Sequence, residues 1–417
     1  MTTTAARARL PYYGWVITGT LAVTETVSWG VLYYAFSVFL VPMQDELGWS
    51  PAALTGAYSL ALLVSGLSAP AVGRWIDRHG PRALMTAGSL LGALMVLTWA
   101  RIDGLPGYYL LWVGMGLAMA ATLYEPAFAT LARWFVRDYR RAILAVTVAA
   151  GFASTIFLPL SAWLVERAGW RSALLILAGI LAVTTIPLHA LVLRRRPEDL
   201  GLHPDGDPPD VAIAEMAART AASGATLHQA LRDSAFWWLT TAFFLDAVST
   251  GAVRVSLIPY LTERGDGAAF AAVSAGLIGA AQVGARILAT VFGGRLSPVA
   301  LTALVFGMQA AAVAMLAGWQ ARSGVLAAVL MMGAANGVVT LMRAGLVAEF
   351  WGRAHFGAIS GMLAMFLTGA RALAPIGAGT TSTLAGGYQP VLLMMVLVST
   401  LATIAMLNTR RKRQARY

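Results

Sequence analysis

Apolar runs of about the length needed to cross the roughly 30 Å hydrocarbon layer of a bilayer, near 20 residues in a helix, recur along this chain and alternate with short polar turns. The pattern predicts six spanning helices at about 12–40, 51–72, 83–100, 108–134, 142–165 and 172–193. It predicts six more at about 236–261, 268–293, 299–320, 324–348, 356–379 and 390–408. Between the two sets the chain turns polar and proline-rich, with Pro197, Pro204, Pro208 and Pro209 beside the acidic run Asp205, Asp207 and Asp210. Such a stretch is expected to be a solvated linker, with a short surface helix before Phe236. The expected architecture is an all-α polytopic membrane protein of twelve transmembrane helices. An N-terminal six-helix bundle covers 1–193, a cytosolic linker 194–233, and a C-terminal six-helix bundle with a basic tail 234–417.

Composition supports this reading. The chain is 58% hydrophobic and 12% charged, about half the roughly 25% charged share of a soluble protein. The first apolar segment follows Arg7 and Arg9 and is too long for the core of a signal peptide, so it is expected to remain as a span. A net charge of +11 would suit a nucleic-acid binder, but its distribution does not. With both termini in the cytosol, 21 of the Lys and Arg residues fall on the cytosolic side, 5 outside and 4 within spans. That asymmetry orients membrane proteins, so a bilayer is the expected partner, in the inner or plasma membrane, and nucleic acid is not. Cys is absent, which excludes disulfides and thiolate metal sites. With no nucleotide-binding loop, metal-ligand cluster or nucleophile–base pair in the sequence, no enzyme activity, metal or cofactor is expected.

The densest polar insert is Gly73-Arg74-Trp75-Ile76-Asp77-Arg78-His79-Gly80-Pro81-Arg82. Asp77 beside Arg74, Arg78 and Arg82 suggests a carboxylate clamping helix ends through charge-assisted bonds. Gly73 permits close helix approach, and Gly80-Pro81 turns the chain. The two halves also echo each other at an offset of 216 residues: Arg133 faces Glu349, Arg137 faces Arg353, and Pro159 faces Pro375. A duplicated six-helix unit with a site at the repeat interface is a recurrent plan of secondary transporters.

The pattern Gly73-x-x-x-Asp77-Arg78-x-Gly80-x-Arg82 resembles the loop motif of the major facilitator superfamily. With a degenerate second loop at Gly293-Gly294-Arg295-Leu296-Ser297-Pro298, the resemblance covers essentially the whole chain. Within that superfamily the chain is similar to the bacterial monocarboxylate-transporter and oxalate–formate-exchanger branch. The matching pieces are Tyr13-Gly14-Trp15, Gly48-Trp49-Ser50, Arg133-Trp134-Phe135, Gly169-Trp170-Arg171 and Arg195-Arg196-Pro197-Glu198-Asp199-Leu200-Gly201-Leu202. The resemblance implies a secondary active transporter of a small organic anion, monocarboxylate-like and proton-coupled, working by alternating access; nothing in the sequence requires more than a monomer. In it, Gly73, Asp77, Arg78, Gly80 and Arg82 would act as a conformational latch. The alternatives are proton-driven efflux of amphipathic compounds and a non-transporting membrane sensor. Helix five keeps Pro159 but lacks the Gly-Pro pair of proton-coupled drug exporters, which weakens the first; the linker shows no signalling domain, which weakens the second.

Ionisable side chains at bilayer depth cost roughly 2.5 kcal/mol or more, so each is a functional candidate. Arg254, Arg286, Arg343 and Arg371 lie in the second half, Glu25 and Glu125 in the first, and Asp246 shares a helix with Arg254. Cations facing acids across a cavity suit anion binding with proton coupling. Arg286 lies about 13 Å from the cytosolic end of its helix at 1.5 Å per residue, with Gln282 one turn away. A guanidinium holds a carboxylate by two parallel bonds, and the resemblance implies an arginine in this helix as the substrate's carboxylate partner. The alternative for Arg286 is a structural bond to Asp246 or a backbone carbonyl. Arg371 is a second substrate contact or a structural pair, and Tyr124 a hydroxyl donor to substrate or a packing aromatic. Glu25, Glu125 and Asp246 are the proton-coupling candidates, although Asp246 as a counter-ion to Arg286 or Arg254 would stay ionised. Pro126 is expected to kink helix four beside Glu125. Arg254 is expected to snorkel or close an outer gate, Arg343 to pair with Glu349 or another inner-gate acid, and His189 to sit at the membrane interface.

Overall fold

The computed structural model describes residues 12–207, 224–292, 297–319 and 321–414. Arg7, Arg9, Pro208, Pro209, Asp210, Arg219, Gly293, Gly294, Arg295, Leu296 and Arg416 lie outside the described residues. The spans are α1 (Tyr13–Leu47), α2 (Pro51–His79), α3 (Arg82–Trp99) and α4 (Leu105–Trp134). A helical stretch over Tyr139–Leu191 follows, divided by Gly169 at φ 76° and ψ 160° into α5 (139–168) and α6 (170–191). The second set is α7 (Ser234–Glu263), α8 (Ala268–Phe292), α9 (Pro298–Gly318), α10 (Arg322–Trp351), α11 (Phe356–Ala385) and α12 (Gln389–Gln414). The twelve spans agree with the hydropathy pattern. Local chemistry sets several ends: Ser50 and Ser297 accept from the N–H groups of Ala53 and Ala300, each with proline at the next position, a strong helix-start combination.

Three details depart from expectation. α1 continues to Leu47 through a π-helical turn over Trp29–Tyr34. The break in α4 falls at Leu123 (φ −87°, ψ −162°), upstream of Pro126. The proline then occupies the first turn of a new helical piece, where its missing N–H would have had no partner anyway. His189 is not interfacial; it is fully enclosed between α6 and α3, its Nδ1 2.8 Å from Ser89 Oγ and 3.2 Å from the Met85 carbonyl oxygen.

The linker also departs from a purely solvated segment. Asp205, in the left-handed region at φ 59°, accepts hydrogen bonds from the backbone N–H groups of Val136, Arg137 and Asp138 at 2.9, 2.9 and 3.2 Å. Arg137 pairs with Asp207 at 3.0 Å. The turn between α4 and α5 presents N–H groups that no helix bond uses, and the linker carboxylate takes them. The expected short helix is Leu227–Arg232, started by a reciprocal cap between Thr226 and Gln229.

Core packing reveals the conformational state. In the outer half, the first six helices bury Phe39, Trp99, Tyr108 and Trp112 in one cluster, and the last six bury Val253, Leu257, Leu316 and Val329 in another. On the cytosolic side one cluster runs through both sets, joining Phe135, Tyr139 and Ile143 to Phe236, Trp351 and Phe356. The two halves therefore share a core at the cytosolic end and keep separate cores toward the outside. The seam depends on glycine: a Cβ at Gly73 would overlap the Gly357 carbonyl, and one at Gly361 the Ala69 carbonyl.

A methyl group at Gly73 is therefore expected to push α2 from α11 and open the cytosolic side. Because the chain has no cysteine, the readout is a single Ile143→Cys reporter in the shared core. Its maleimide labelling should accelerate about tenfold in Gly73→Ala, within the 1–3 kcal/mol typical of overpacking.

Candidate functional site

The innermost layer is a polar seam between the halves. Asp77, on the last turn of α2, accepts hydrogen bonds from the backbone N–H groups of Gly357 at 3.1 Å and Ala358 at 2.8 Å. These belong to the first turn of α11, whose N–H groups have no helical acceptor and which favours an anion. Arg133 donates to the Asp77 main-chain carbonyl. Arg353 donates to the carbonyl oxygens of Phe135 and Val136 at 2.7 and 2.9 Å, and its guanidinium lies over the Tyr139 ring at 5.1 Å. Asp77 thus clamps a helix end, through backbone N–H groups, and Arg74, Arg78 and Arg82 take no part in that bond. All three arginines are exposed, and among the described residues none forms an ion pair. Asp77 points into the seam, while those arginines lie on the wet side of the helix end. Gly80 makes the turn at φ 83° and is covered by the Arg195 side chain.

Deeper in, Glu125 joins the halves. Its Oε1 lies 2.5 Å from Arg343 Nη2, and its Oε2 accepts from Ser360 Oγ at 2.9 Å. Arg343 thus pairs across the two halves with Glu125, not with its near neighbour Glu349. Arg286 is also buried, at 4% exposure. It donates through Nη1 to the Thr147 carbonyl at 2.8 Å and through Nε to the Gly337 carbonyl at 3.4 Å. Gly151 leaves room for the guanidinium, and Tyr124 lies against it. Of the alternatives for Arg286, the backbone-carbonyl bond is the one formed here, because the α5 segment Tyr139–Gly151 ends beside it. Gln282, half-buried, brings its backbone against Gly337, where a Cβ would overlap its carbonyl oxygen.

Outside this layer the halves part. Arg371 and Arg254 are exposed, yet each faces the other half. Tyr33 and Glu125 of the first half lie in the electrostatic field of Arg371, and Tyr34 lies in the fields of Arg254, Arg286 and Arg371. Arg254 thus lies within electrostatic reach of Tyr34 in the other half. The opposite wall is aromatic: Trp29 lies 4.9 Å from Tyr33 and 4.8 Å from Tyr124, and Tyr33 lies 5.1 Å from Tyr34, ring centre to ring centre. The π-helical turn of α1 places Trp29, Tyr33 and Tyr34 together, a local widening often found at functional sites.

Glu25 sits one turn before Trp29 and is fully enclosed. Its Oε2 accepts from Trp29 Nε1 at 3.0 Å, while its Oε1 has no partner among the described residues. Asp246 on α7 is buried at 6% exposure, and the cation whose field reaches it is Arg371, not Arg286 or Arg254. The structure thus brings Glu25, Glu125, Tyr124, Arg286 and Arg371 to one central region, while the 73–82 loop stays at its cytosolic edge. Thr147, Ser360, Tyr34 and Arg353 were not singled out by sequence reasoning. Only Arg353 had a signal, its register with Arg137 in the repeat.

A family model described as the Major Facilitator Superfamily matches residues 22–375. The oxalate:formate antiporter of Oxalobacter formigenes is 27% identical over 234 residues, 54% of this chain and 51% of that protein. Monocarboxylate transporter 11 of Homo sapiens is 28% identical over 289 residues, 66% of this chain and 55% of that protein. The chain thus spans little more than half the length of these two transporters. Among solved structures, FucP in the outward conformation superposes with a TM-score of 0.71 at 15% identity, covering 95% of this chain and 99% of that one.

The Glu125–Arg343 pair yields a direct test. Removing one partner strands the other charge, at a cost of about 3–5 kcal/mol for a buried pair. The thermal midpoint of the purified protein should fall in both Glu125→Gln and Arg343→Gln. The double variant should recover at least part of that loss, because the two sites are coupled.

Proposed function

Because the chain belongs to the major facilitator superfamily, and is thus a multi-pass secondary transporter of small solutes and not an enzyme, we propose that its cargo is a small, monocarboxylate-like organic anion moved with a proton by alternating access. One observation carries this reading: Arg371 and Arg254 stand in the cleft without an ion pair among the described residues, facing the Trp29, Tyr33 and Tyr34 wall. An arginine in a cleft that forms no ion pair among the described residues is a ready carboxylate partner. The related oxalate:formate antiporter and monocarboxylate transporter 11 are named for the same chemical class.

In this scheme Arg371 takes the carboxylate first. Arg286 is held by the Thr147 carbonyl while the cytosolic side is closed. When the halves rock, that bond breaks, and Arg286 with Gln282 and Tyr124 completes the site. Glu25 carries the proton: its Oε1 is sealed without a partner among the described residues, so a bound proton neutralises a charge that no ion pair among them neutralises. Loading one anion and one proton leaves the net charge unchanged, so rocking carries no extra uncompensated charge through the low-dielectric centre. Glu125, tied to Arg343, and Asp246, near Arg371, can pass that proton on as the bonds between the halves rearrange. Gly73, Asp77 and Gly80 form the latch, with Arg78 and Arg82 at its wet edge. The protein acts as a monomer in the inner or plasma membrane.

Proteoliposomes supplied with radiolabelled lactate or oxalate should accumulate one of them under an inward proton gradient. Arg371→Gln should reduce uptake by about a hundredfold, the loss expected for a charge-assisted bidentate pair worth about 3 kcal/mol. Glu25→Gln should abolish gradient-driven accumulation while leaving anion-for-anion exchange. Transport of a neutral amphiphile in preference to both carboxylates, unaffected by Arg371→Gln, would sink the anion assignment.

A further inference from the structure

Away from the cleft, the cytosolic ends of α3 and α6 leave a groove of about 700 Å³ between them. Its two ends differ in chemistry. At the mouth stand His79, Arg82, Arg194 and Arg195. Arg194 is tied by Nη1 to the Leu191 and Leu193 carbonyl oxygens at the end of α6, 2.7 and 3.0 Å away. The one acid in the lining, Asp199, is taken by Arg196 at 2.9 Å. Arg82 and Arg195 are exposed and, among the described residues, form no ion pair. Deeper in, the walls are apolar: Ala87 and Leu90 are exposed on α3, and Ile186 is half-exposed on α6.

Basic residues at a cytosolic helix end would ordinarily need no explanation beyond membrane orientation. Two features set this group apart. The left-handed turn at Gly80 is packed by the Arg195 side chain, so the start of the linker is held against the turn between α2 and α3 and the two unpaired arginines share one mouth. That mouth also opens onto an apolar trough, not onto a flat polar surface. Arg141, on the same side of the membrane, is by contrast already paired with Asp138 at 3.0 Å.

We propose that this groove binds one anionic phospholipid of the cytosolic leaflet, its phosphate between Arg82 and Arg195 and an acyl chain along Ala87, Leu90 and Ile186. A phosphodiester supplies the negative charge that these guanidinium groups lack, with geometry that arginine matches well. The acyl chain lies along apolar side chains that already face the bilayer, so the site joins a charged mouth to an apolar trough. Basic pockets between spanning helices on the cytosolic side are a general form of phospholipid site. The site is independent of the cargo.

Native mass spectrometry of the purified full-length protein, titrated with phosphatidylglycerol, phosphatidylcholine or inorganic phosphate, tests this. One phosphatidylglycerol should be retained about tenfold more tightly than phosphatidylcholine, and millimolar phosphate should not displace it. The double variant Arg82→Gln/Arg195→Gln should weaken phosphatidylglycerol by about 25-fold, each arginine contributing the roughly fivefold of one basic group at an anionic surface. Ala87→Trp, which fills the trough and leaves the charges, should weaken it as well. Equal affinity for the two lipids overturns the proposal, as does displacement by phosphate alone or retention that neither variant changes. The lipid and phosphate comparisons on the unaltered protein decide the matter even where a variant fails to fold.

Discussion

At the cytosolic end the backbones of α2 and α11 meet with almost no side chain between them, at Gly73 against Gly357 and at Ala69 against Gly361. That approach brings the Asp77 carboxylate onto the N-terminus of α11, where two N–H groups have no other acceptor. The rest of the cytosolic side follows from this closeness. Phe135 and Tyr139 can join the core of the other half, Arg353 can reach the carbonyls that end α4, and Glu125 can meet Arg343. Each of these bonds crosses between the halves, and each must break for the cytosolic side to open. The closed side is held by many modest interactions set by one backbone approach, which suits a state that must be both populated and escapable.

The intramembrane charges divide according to that geometry. On the closed side they satisfy one another or the backbone: Arg343 with Glu125, and Arg286 with the Thr147 and Gly337 carbonyls. Where the halves part, Arg254 and Arg371 remain exposed, and Glu25 keeps one carboxylate oxygen without a partner among the described residues. A charge satisfied only in one conformation makes the stability of that conformation depend on what binds it. On the proposed reading the same side chains act as structure in one state and as ligands in the other. One helix, α11, carries the Asp77 bonds in its first turn, Ser360 further on, and Arg371 deeper in the membrane.

Much of the candidate site was legible because residue type alone carries meaning inside a bilayer. Glu25, Glu125, Arg286 and Arg371 stand out in any apolar run, and the structure brings all four to the centre. Their partners were not legible. Glu125 and Arg343 are 218 residues apart, so of the acids open to Arg343 the sequence could name only the near one, Glu349. The partners of Asp77 were hidden for a related reason. Arg74, Arg78 and Arg82 are neighbours of Asp77 in the chain, but their side chains leave the helix end in other directions. His189 looked interfacial from its place near a helix end, and only the packing of α3 on α6 encloses it.

Hydropathy, charge asymmetry and the Gly73–Arg82 motif determined, without coordinates, that the chain spans the membrane twelve times, which side faces the cytosol and to which superfamily it belongs. These properties follow from terms that act residue by residue: transfer of apolar side chains into lipid, exclusion of arginine from it, and the turns that only glycine makes. The tertiary structure alone decided which side is closed, which charges are paired, and that Arg286 bridges the halves while Arg371 faces the cleft. Those outcomes depend on distances between residues hundreds of positions apart, set by how two helix bundles lean together, and no local pattern encodes an angle between bundles.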